Sequence, residues 1–148
     1  MNMTNIDEII ENMEFLDNWE DKYKYIIELG QAINDFPEDL RNNKTKVNGC
    51  VSQVWLFSST SKNSRNEKLI KFIGDSDAFI VKGLIAILIS IYTNKKPEEI
   101  LEINPEDIFK KFGLETHLSP QRSNGLLSMI ERIKNDARGN VYIGTNEL

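Results

Sequence analysis

Cysteine and histidine are almost missing from this chain of 148 residues, which contains one of each. A single cysteine cannot form an intrachain disulfide, so the sequence excludes a disulfide-stapled fold. It also excludes a zinc or iron–sulfur site built from several cysteines of one chain. One histidine excludes a metal site with two histidine ligands. Cys50 and His117 are therefore considered one at a time.

The chain also lacks a long apolar run and an excess of positive charge. Its longest apolar stretch is Leu84–Ile89, and Lys82 and Gly83 interrupt the extension toward Ala78, which predicts a buried helix and no membrane span. The N-terminus has no basic segment before an apolar run, so we expect no signal peptide and a cytoplasmic protein. The formal net charge of −5 disfavours nucleic-acid binding, which needs a basic surface.

What is present predicts an α+β domain. Hydrophobic residues make up 40% of the chain and charged residues 28%, which is a globular balance. Asn5 and Asn18 are expected to cap two N-terminal helices. A small antiparallel sheet of about three strands is expected over Lys44–Gly49, Val51–Ser59 and Lys68–Gly74. Three strands are too few to be stable alone, so we expect helices to cover one face.

The second half of the chain is predicted to be helical. Asp75 or Ser76 is expected to cap a helix that runs from Asp77 to about Thr93. Three later helices are expected to begin with a proline, namely Pro97, Pro105 and Pro120. Gly113 is expected to end the second of these helices and Gly139 the last.

Cys50 is the first candidate for chemistry. It follows the turn dipeptide Asn48-Gly49, which predicts a position on a loop where a thiol can meet another protein. A lone cysteine can equally be a small buried hydrophobe, and spacing alone leaves both roles open. A reactive thiolate needs a nearby positive charge. The available cations are Lys44, Lys46 and Arg122.

Two other segments carry polar residues that could serve a site. Gly74–Asp77 fits the start of a helix, and its spacing does not fit an EF-hand calcium loop. His117 and Arg122 are not needed to start the last helix. Arg122 lies unfavourably against the helix dipole, which suggests an ion pair or a thiolate partner. A Cys50–His117 pair would be typical of a cysteine hydrolase, but no oxyanion-hole motif accompanies it.

The cysteine segment Val47–Trp55, VNGCVSQVW, resembles the GCxSQVW signature of the SufE family of sulfur-acceptor proteins. Three further segments resemble this family in the same order, namely Trp19–Gly30, Gly74–Leu84 and His117–Leu126. The resemblance extends from about Phe15 to Ala137, and four ordered segments that include the cysteine make it specific. It predicts one domain over residues 1–137. Residues 138–148 have no recognised counterpart and are expected to form a flexible tail.

The resemblance implies a function in sulfur transfer. Cys50 would accept sulfur as a persulfide from a cysteine desulfurase of the SufS-like or CsdA-like branch and would stimulate that enzyme. The sulfur would then pass to an iron–sulfur assembly scaffold. The acceptor would need no cofactor and no metal, since pyridoxal phosphate (PLP) belongs to the desulfurase. The family fold is α+β and similar to that of the IscU-type scaffolds.

Motif positions around Cys50 add supporting residues. By resemblance, Asp77, His117 and Arg122 flank the active loop and are expected to position it or dock the partner. Gly49 and Gln53, within the motif, are further supporting residues. The main alternative is a non-carrying allosteric activator or adaptor of the desulfurase. A scaffold of the same fold is disfavoured, because such scaffolds use several cysteines and this chain has one.

Overall fold

The computed structural model describes residues 5–141 and has the expected α+β architecture. Two helices are followed by a β-hairpin and then by five further helices within this range. The elements are α1 (Ile6–Glu14), α2 (Trp19–Gln31), β1 (Val54–Lys62), β2 (Lys68–Ser76), α3 (Phe79–Tyr92), α4 (Pro97–Glu102), α5 (Glu106–Lys111), α6 (Leu114–His117) and α7 (Pro120–Arg138). A 3₁₀ turn, Glu38–Leu40, lies between α2 and β1.

The hydrophobic core surrounds α3. This helix is apolar on all sides, as expected for a helix that is buried all round, and it packs against α2, β2 and α7. The α2–α3 contact depends on glycine. A Cβ atom on Gly83 would lie 2.2 Å from the carbonyl oxygen of Ile26, and one on Gly30 would lie 2.6 Å from the Gly83 nitrogen. The two backbones therefore touch directly, which makes α2 and α3 a fixed platform.

The hairpin lies on this platform. β1 and β2 are antiparallel, with Val54 opposite Ser76 and Lys62 opposite Lys68. Alternate side chains face the core, as the two-residue period of a strand requires. The buried ones are Val54, Leu56, Ile70 and Phe72. A two-stranded hairpin is marginal in water, so its burial against α3 supplies its stability.

The prediction of three strands was wrong, because within residues 5–141 the sheet has two strands. The segment predicted as the first strand, Lys44–Gly49, makes one isolated bridge to β1, and the amide of Val47 donates to the Val54 carbonyl at 2.8 Å. The chain then turns at Gly49, where φ is +90°, and the pairing cannot continue. The next strand begins at Val54 and not at Val51, since the residues between them belong to the loop.

The predicted cap of α3 was also wrong. β2 continues through Asp75 to Ser76, and α3 begins at Phe79 with Ala78 as an N-cap that makes no side-chain hydrogen bond. Polar side chains of this segment, those of Ser76 and Asp77, bond instead across the molecule to Gln53. A tertiary contact has therefore replaced the local capping interaction that the sequence favours.

The proline and glycine signals in the C-terminal half were largely confirmed. Pro97 and Pro120 begin α4 and α7, whereas Pro105 precedes α5 by one residue. Gly113, with φ of +74°, ends α5, and Gly139 caps α7. The short helix α6 was not predicted. Most of the expected tail lies outside the described residues, so that assignment and the domain boundary stay predictions.

The helices were also compared with the length and polarity that a membrane span requires. Among the helices that the structure describes, none is long and apolar enough to cross a bilayer. The apolar segment predicted as a buried helix is α3, in the centre of the core.

Candidate functional site

Cys50 lies on a short loop, residues 48–53, between the bridge to β1 and the start of β1 itself. Its thiol is half-buried, and Sγ lies 3.6 Å from the carbonyl oxygen of Gly125 on α7, to which the S–H group donates. Gly125 packs against Cys50, and a Cβ atom there would lie in ordinary contact with the sulfur, 3.5 Å away. The loop therefore rests on α7 with the thiol turned toward the protein.

A cavity of about 300 Å³ lies beside the thiol, between the loop, α3 and the N-terminal half of α7. Its apolar wall comes from Val81 and Leu84 on α3 and from Met129 on α7. Val51 and Arg122 complete the surroundings of Cys50. The cavity is large enough to hold a second sulfur atom attached to Cys50.

The electrostatic setting keeps the resting thiol protonated. Burial raises the pKa of Cys50, because a thiolate loses its hydration in this position. Of the three candidate cations, Arg122 lines the cavity, whereas Lys44 and Lys46 do not. Burial in this position therefore disfavours the thiolate, which is the nucleophilic form of cysteine.

Arg122 is placed by the first turn of α7. Ser119 caps this helix, with its Oγ accepting a hydrogen bond from the Arg122 amide at 3.2 Å. The Nη1 atom of the Arg122 guanidinium is buried and has no hydrogen-bond partner among residues 5–141. Buried donors are normally satisfied, so an unpartnered guanidinium nitrogen on a residue that lines the cavity is unusual.

The C-terminal end of the loop is fixed to β2 and the residue that follows it. The amide of Gln53 donates to Oδ1 of Asp77 at 3.0 Å, and the Ser76 hydroxyl donates to the Gln53 carbonyl at 2.7 Å. The predicted residues Gln53 and Asp77 are thus brought together, with the contact made by the Gln53 backbone. This pair anchors the loop immediately before β1.

Gly49 is required at the turn for two reasons. Its φ of +90° lies in the region that favours glycine, and a Cβ atom would lie 2.5 Å from Oγ of Ser128. The turn is therefore packed closely on α7, one residue before Cys50.

His117 is not part of this cavity. Its ring stacks on Trp19, with ring centroids 4.4 Å apart and planes 10° apart, and Nδ1 lies 2.9 Å from the Gly113 carbonyl oxygen. The hydrolase alternative needs a base beside Cys50, and the chain's one histidine does not line the cavity. The role of His117 in positioning or docking stays a prediction.

An ion-pair cluster beside the site was missed in the sequence. Asp75 is buried on β2 and pairs with Arg41, while the Lys82 ammonium lies 3.5 Å away. The Arg41 guanidinium lies 5.0 Å from the ring centroid of Trp55, the residue opposite Asp75. The sequence signal for this cluster was the carboxylate of Asp75 at the end of an apolar strand pattern. The same residue also fits a helix cap, so the signal did not distinguish the two roles.

Metal binding was assessed from the side chains that could act as ligands. The part of the chain covered by residues 5–141 contains no group of three His, Cys, Asp or Glu residues able to hold a metal ion. That the protein needs no cofactor stays a prediction.

The fold and site define a class of protein, an α+β domain with one sheltered, loop-borne thiol. Residues 7–137 match the SufE family, described as an Fe–S metabolism associated domain. An uncharacterised SufE-like protein of Rhizobium meliloti is 50% identical over 137 residues, covering 93% of this chain and 97% of the relative. The cysteine desulfuration protein SufE of Wigglesworthia glossinidia brevipalpis is 42% identical over 129 residues, 87% of each chain. This chain belongs to the SufE family.

A solved structure supports the fold independently. The solution structure of a hypothetical protein from Thermus thermophilus superposes with a TM-score of 0.71 over 94% of this chain and 97% of that one. Their sequence identity is 18%, so the likeness concerns the fold alone. The family expected from four short segments, and the α+β class, are both confirmed.

Proposed function

We propose that this protein is a sulfur carrier that accepts a persulfide sulfur on Cys50 from a PLP-dependent cysteine desulfurase. The protein is itself no self-sufficient enzyme in this proposal. It stimulates the desulfurase by removing its sulfur and delivers that sulfur to an iron–sulfur assembly scaffold. The name of the Wigglesworthia relative, a cysteine desulfuration protein, supports the first half of this proposal.

The observation that carries the proposal is the placement of the one thiol. Cys50 is half-buried beside an apolar cavity that Arg122 also lines, and Nη1 of Arg122 is buried without a hydrogen-bond partner among the described residues. A persulfide is an oxidation-prone anion near neutral pH, so it needs shelter and one donor. A cysteine with only a packing role needs neither.

The transfer is a thiol exchange that requires no external oxidant. The Cys50 thiolate attacks the outer sulfur of the desulfurase persulfide, and a new S–S bond forms between that sulfur and Sγ. The original S–S bond breaks, and its electron pair leaves with the desulfurase thiolate. The proton of the Cys50 thiol is released before attack, and one sulfane sulfur has moved without a net redox change.

The same loop must also present the thiol to its partners. Val51, next to Cys50, has 81% of its surface exposed and offers an apolar contact at the point where the partner's persulfide must arrive. A cysteine alternating between this exposed side and the cavity could collect sulfur and protect it between encounters. A lone reactive thiol also needs a reducing compartment, so we propose a cytoplasmic location.

The proposal is tested by desulfurase turnover. The desulfurase of the same organism is given free cysteine and a reductant, and alanine formation is measured with and without this protein. Wild type is expected to raise the turnover rate several-fold, whereas Cys50→Ser is expected to give no increase. The serine variant should unfold at the same temperature as wild type, because the substitution is nearly isosteric.

A second outcome would favour the adaptor. If Cys50→Ser raises turnover as much as wild type, the protein activates the desulfurase without carrying sulfur. Peptide or ester hydrolysis by the protein alone would instead support the cysteine hydrolase.

A further inference from the structure

α7 runs alongside the segment that leads to Cys50, in the opposite direction. Gly125 contacts Cys50, Ser128 contacts Gly49, and Arg132 contacts the backbone of the residues before the turn. These α7 positions are spaced by three and four residues, so they lie on one face of the helix. The cysteine loop and the segment before it thus share one supporting surface.

Arg132 makes two hydrogen bonds to this segment through its side chain. Its Nη1 donates to the carbonyl oxygen of Lys46 at 3.3 Å, and its Nη2 donates to the carbonyl oxygen of Lys44. Nε is directed at Oδ1 of Asp136, 3.3 Å away, one turn further along the helix. The side chain is 25% exposed, and all three guanidinium nitrogens have a partner. A planar, multiply bonded guanidinium holds its partners at a defined geometry.

The two carbonyl groups flank Thr45, whose own carbonyl bonds β1. Thr45 and Val47 direct their backbone bonds to β1, with the Thr45 carbonyl accepting and the Val47 amide donating, both at 2.8 Å. Lys44 and Thr45 lie in a turn in which the Lys46 amide donates to the Asn42 carbonyl at 3.0 Å, and the segment bridges β1 at Lys46. Arg132 bonds the Lys46 and Lys44 carbonyl groups on either side of the Thr45 contact.

Beyond Val47 the contacts become weak. The loop is held there by one thiol–carbonyl hydrogen bond and by the packing of Gly49 on Ser128. Strong anchoring resumes only at Gln53. Residues 48–52 are therefore the part that can move, and with both ends fixed the thiol can reach about 10 Å from its base.

We propose that Arg132 is a positioning residue for Cys50. It fixes the N-terminal base of the cysteine loop, holds the thiol over the cavity at rest and confines opening of the loop to residues 48–52. The significance of this role for sulfur transfer rests on the proposed function. The anchoring itself is a property of the chain alone and can be measured without a desulfurase.

The test is the rate at which a small aromatic disulfide reagent modifies Cys50 in the folded protein. Arg132→Gln removes the charge and the paired donors, and we expect modification to become about tenfold faster, as loss of a charge-assisted hydrogen bond shifts the resting position. The Val47 amide should exchange its hydrogen faster as well.

Arg138→Gln is the matched control, since Arg138 is on the same helix and bonds Glu131 at 3.0 Å, away from the loop. The rates of modification and of amide exchange in this variant should equal those of wild type.

Two further variants decide the remaining cases. Arg132→Lys keeps the positive charge but lacks the paired guanidinium donors. Cys50 in this variant should still react several-fold faster than in wild type. If Arg132→Gln does not fold, Asp136→Asn, which only loosens the guanidinium, should give about a two- to threefold increase. An unchanged rate of Cys50 modification in the folded Arg132→Gln variant would overturn the proposal. If that variant does not fold, an unchanged rate in Asp136→Asn would overturn it. An equal increase in Arg138→Gln would also overturn it. Failure of sulfur acceptance with the anchoring intact would refute the proposed function alone.

Discussion

Glycine allows a close approach at two places in this molecule, with opposite consequences. At the α2–α3 contact, Gly30 and Gly83 let the helix backbones meet over a buried apolar surface. At the cysteine loop, Gly49 packs on the Ser128 side chain of α7, and one weak thiol hydrogen bond to Gly125 holds the loop there. The first contact is part of the core and the second is a resting position.

The difference shows how a small fold can carry a mobile thiol. The platform of α2 and α3 gains its stability from apolar burial, which is lost only when the domain unfolds. The loop is fixed by polar anchors at its two ends, Arg132 before the turn and Asp77 after it. Opening of the loop therefore leaves the core intact.

Gly83→Ala tests the platform and has the largest expected effect. The added methyl group would overlap the Ile26 carbonyl, so the helices must separate, at a cost of about 3 kcal/mol in the free energy of unfolding. A drop in melting temperature of about 10 °C is expected by calorimetry. Gly139→Ala is the control, since its nearest neighbours would be 3.7 Å away. Equal stability of Gly83→Ala and wild type would show that the two helices do not meet as described.

Gly49→Ala tests the resting position of the loop. An alanine at φ of +90° is strained by about 1–2 kcal/mol and also meets Ser128. Because loop opening relieves this strain, we expect Cys50 to react about tenfold faster with a thiol reagent, with little change in melting temperature. In the double variant with Ser128→Ala the contact with the serine is relieved but the backbone strain remains. The modification rate should therefore return only part of the way to that of wild type. A lower melting temperature without faster modification would indicate that the turn belongs to the core.

The pH dependence of alkylation gives the smallest effect. Burial raises the pKa of the Cys50 thiol, so the rate of alkylation in the folded protein should rise with a midpoint above that of the urea-unfolded chain. Gly49→Ala should move the midpoint back toward the unfolded value. Between the two pKa values the unfolded chain binds fewer protons than the native state, so the stability should fall slightly as pH rises there. Equal alkylation midpoints for the folded and unfolded protein would contradict a resting position in which the Cys50 thiol is half-buried.

The sequence predicted features that depend on local signals. Asn5 and Asn18 cap α1 and α2, with side chains accepting from the amides of Glu8 and Asp21 at 2.9 Å. Apolar periodicity and terminal glycines located the long helices, and the motif around Cys50 identified the family. These signals are contained within short segments of chain.

The errors and omissions concern contacts between distant segments. Asp75 fits a helix cap by its local sequence, but its partner Arg41 is brought to it only by the folded chain. Arg132 has no local signal, because its bonds go to backbone carbonyl groups 86 and 88 residues earlier. Motif order groups His117 with Cys50, whereas the fold stacks it on Trp19. Periodicity and spacing carry no information on such pairings.

The central claim, that Cys50 carries sulfur, is tested most directly by intact mass. The protein is incubated with free cysteine and a PLP-dependent cysteine desulfurase from the same organism, separated from it, and weighed without reductant. We predict a gain of at least one sulfur atom, mapped to the peptide that contains Cys50 and removed by dithiothreitol. An unchanged mass, in a sample where desulfurase turnover is nevertheless stimulated, would contradict the carrier mechanism.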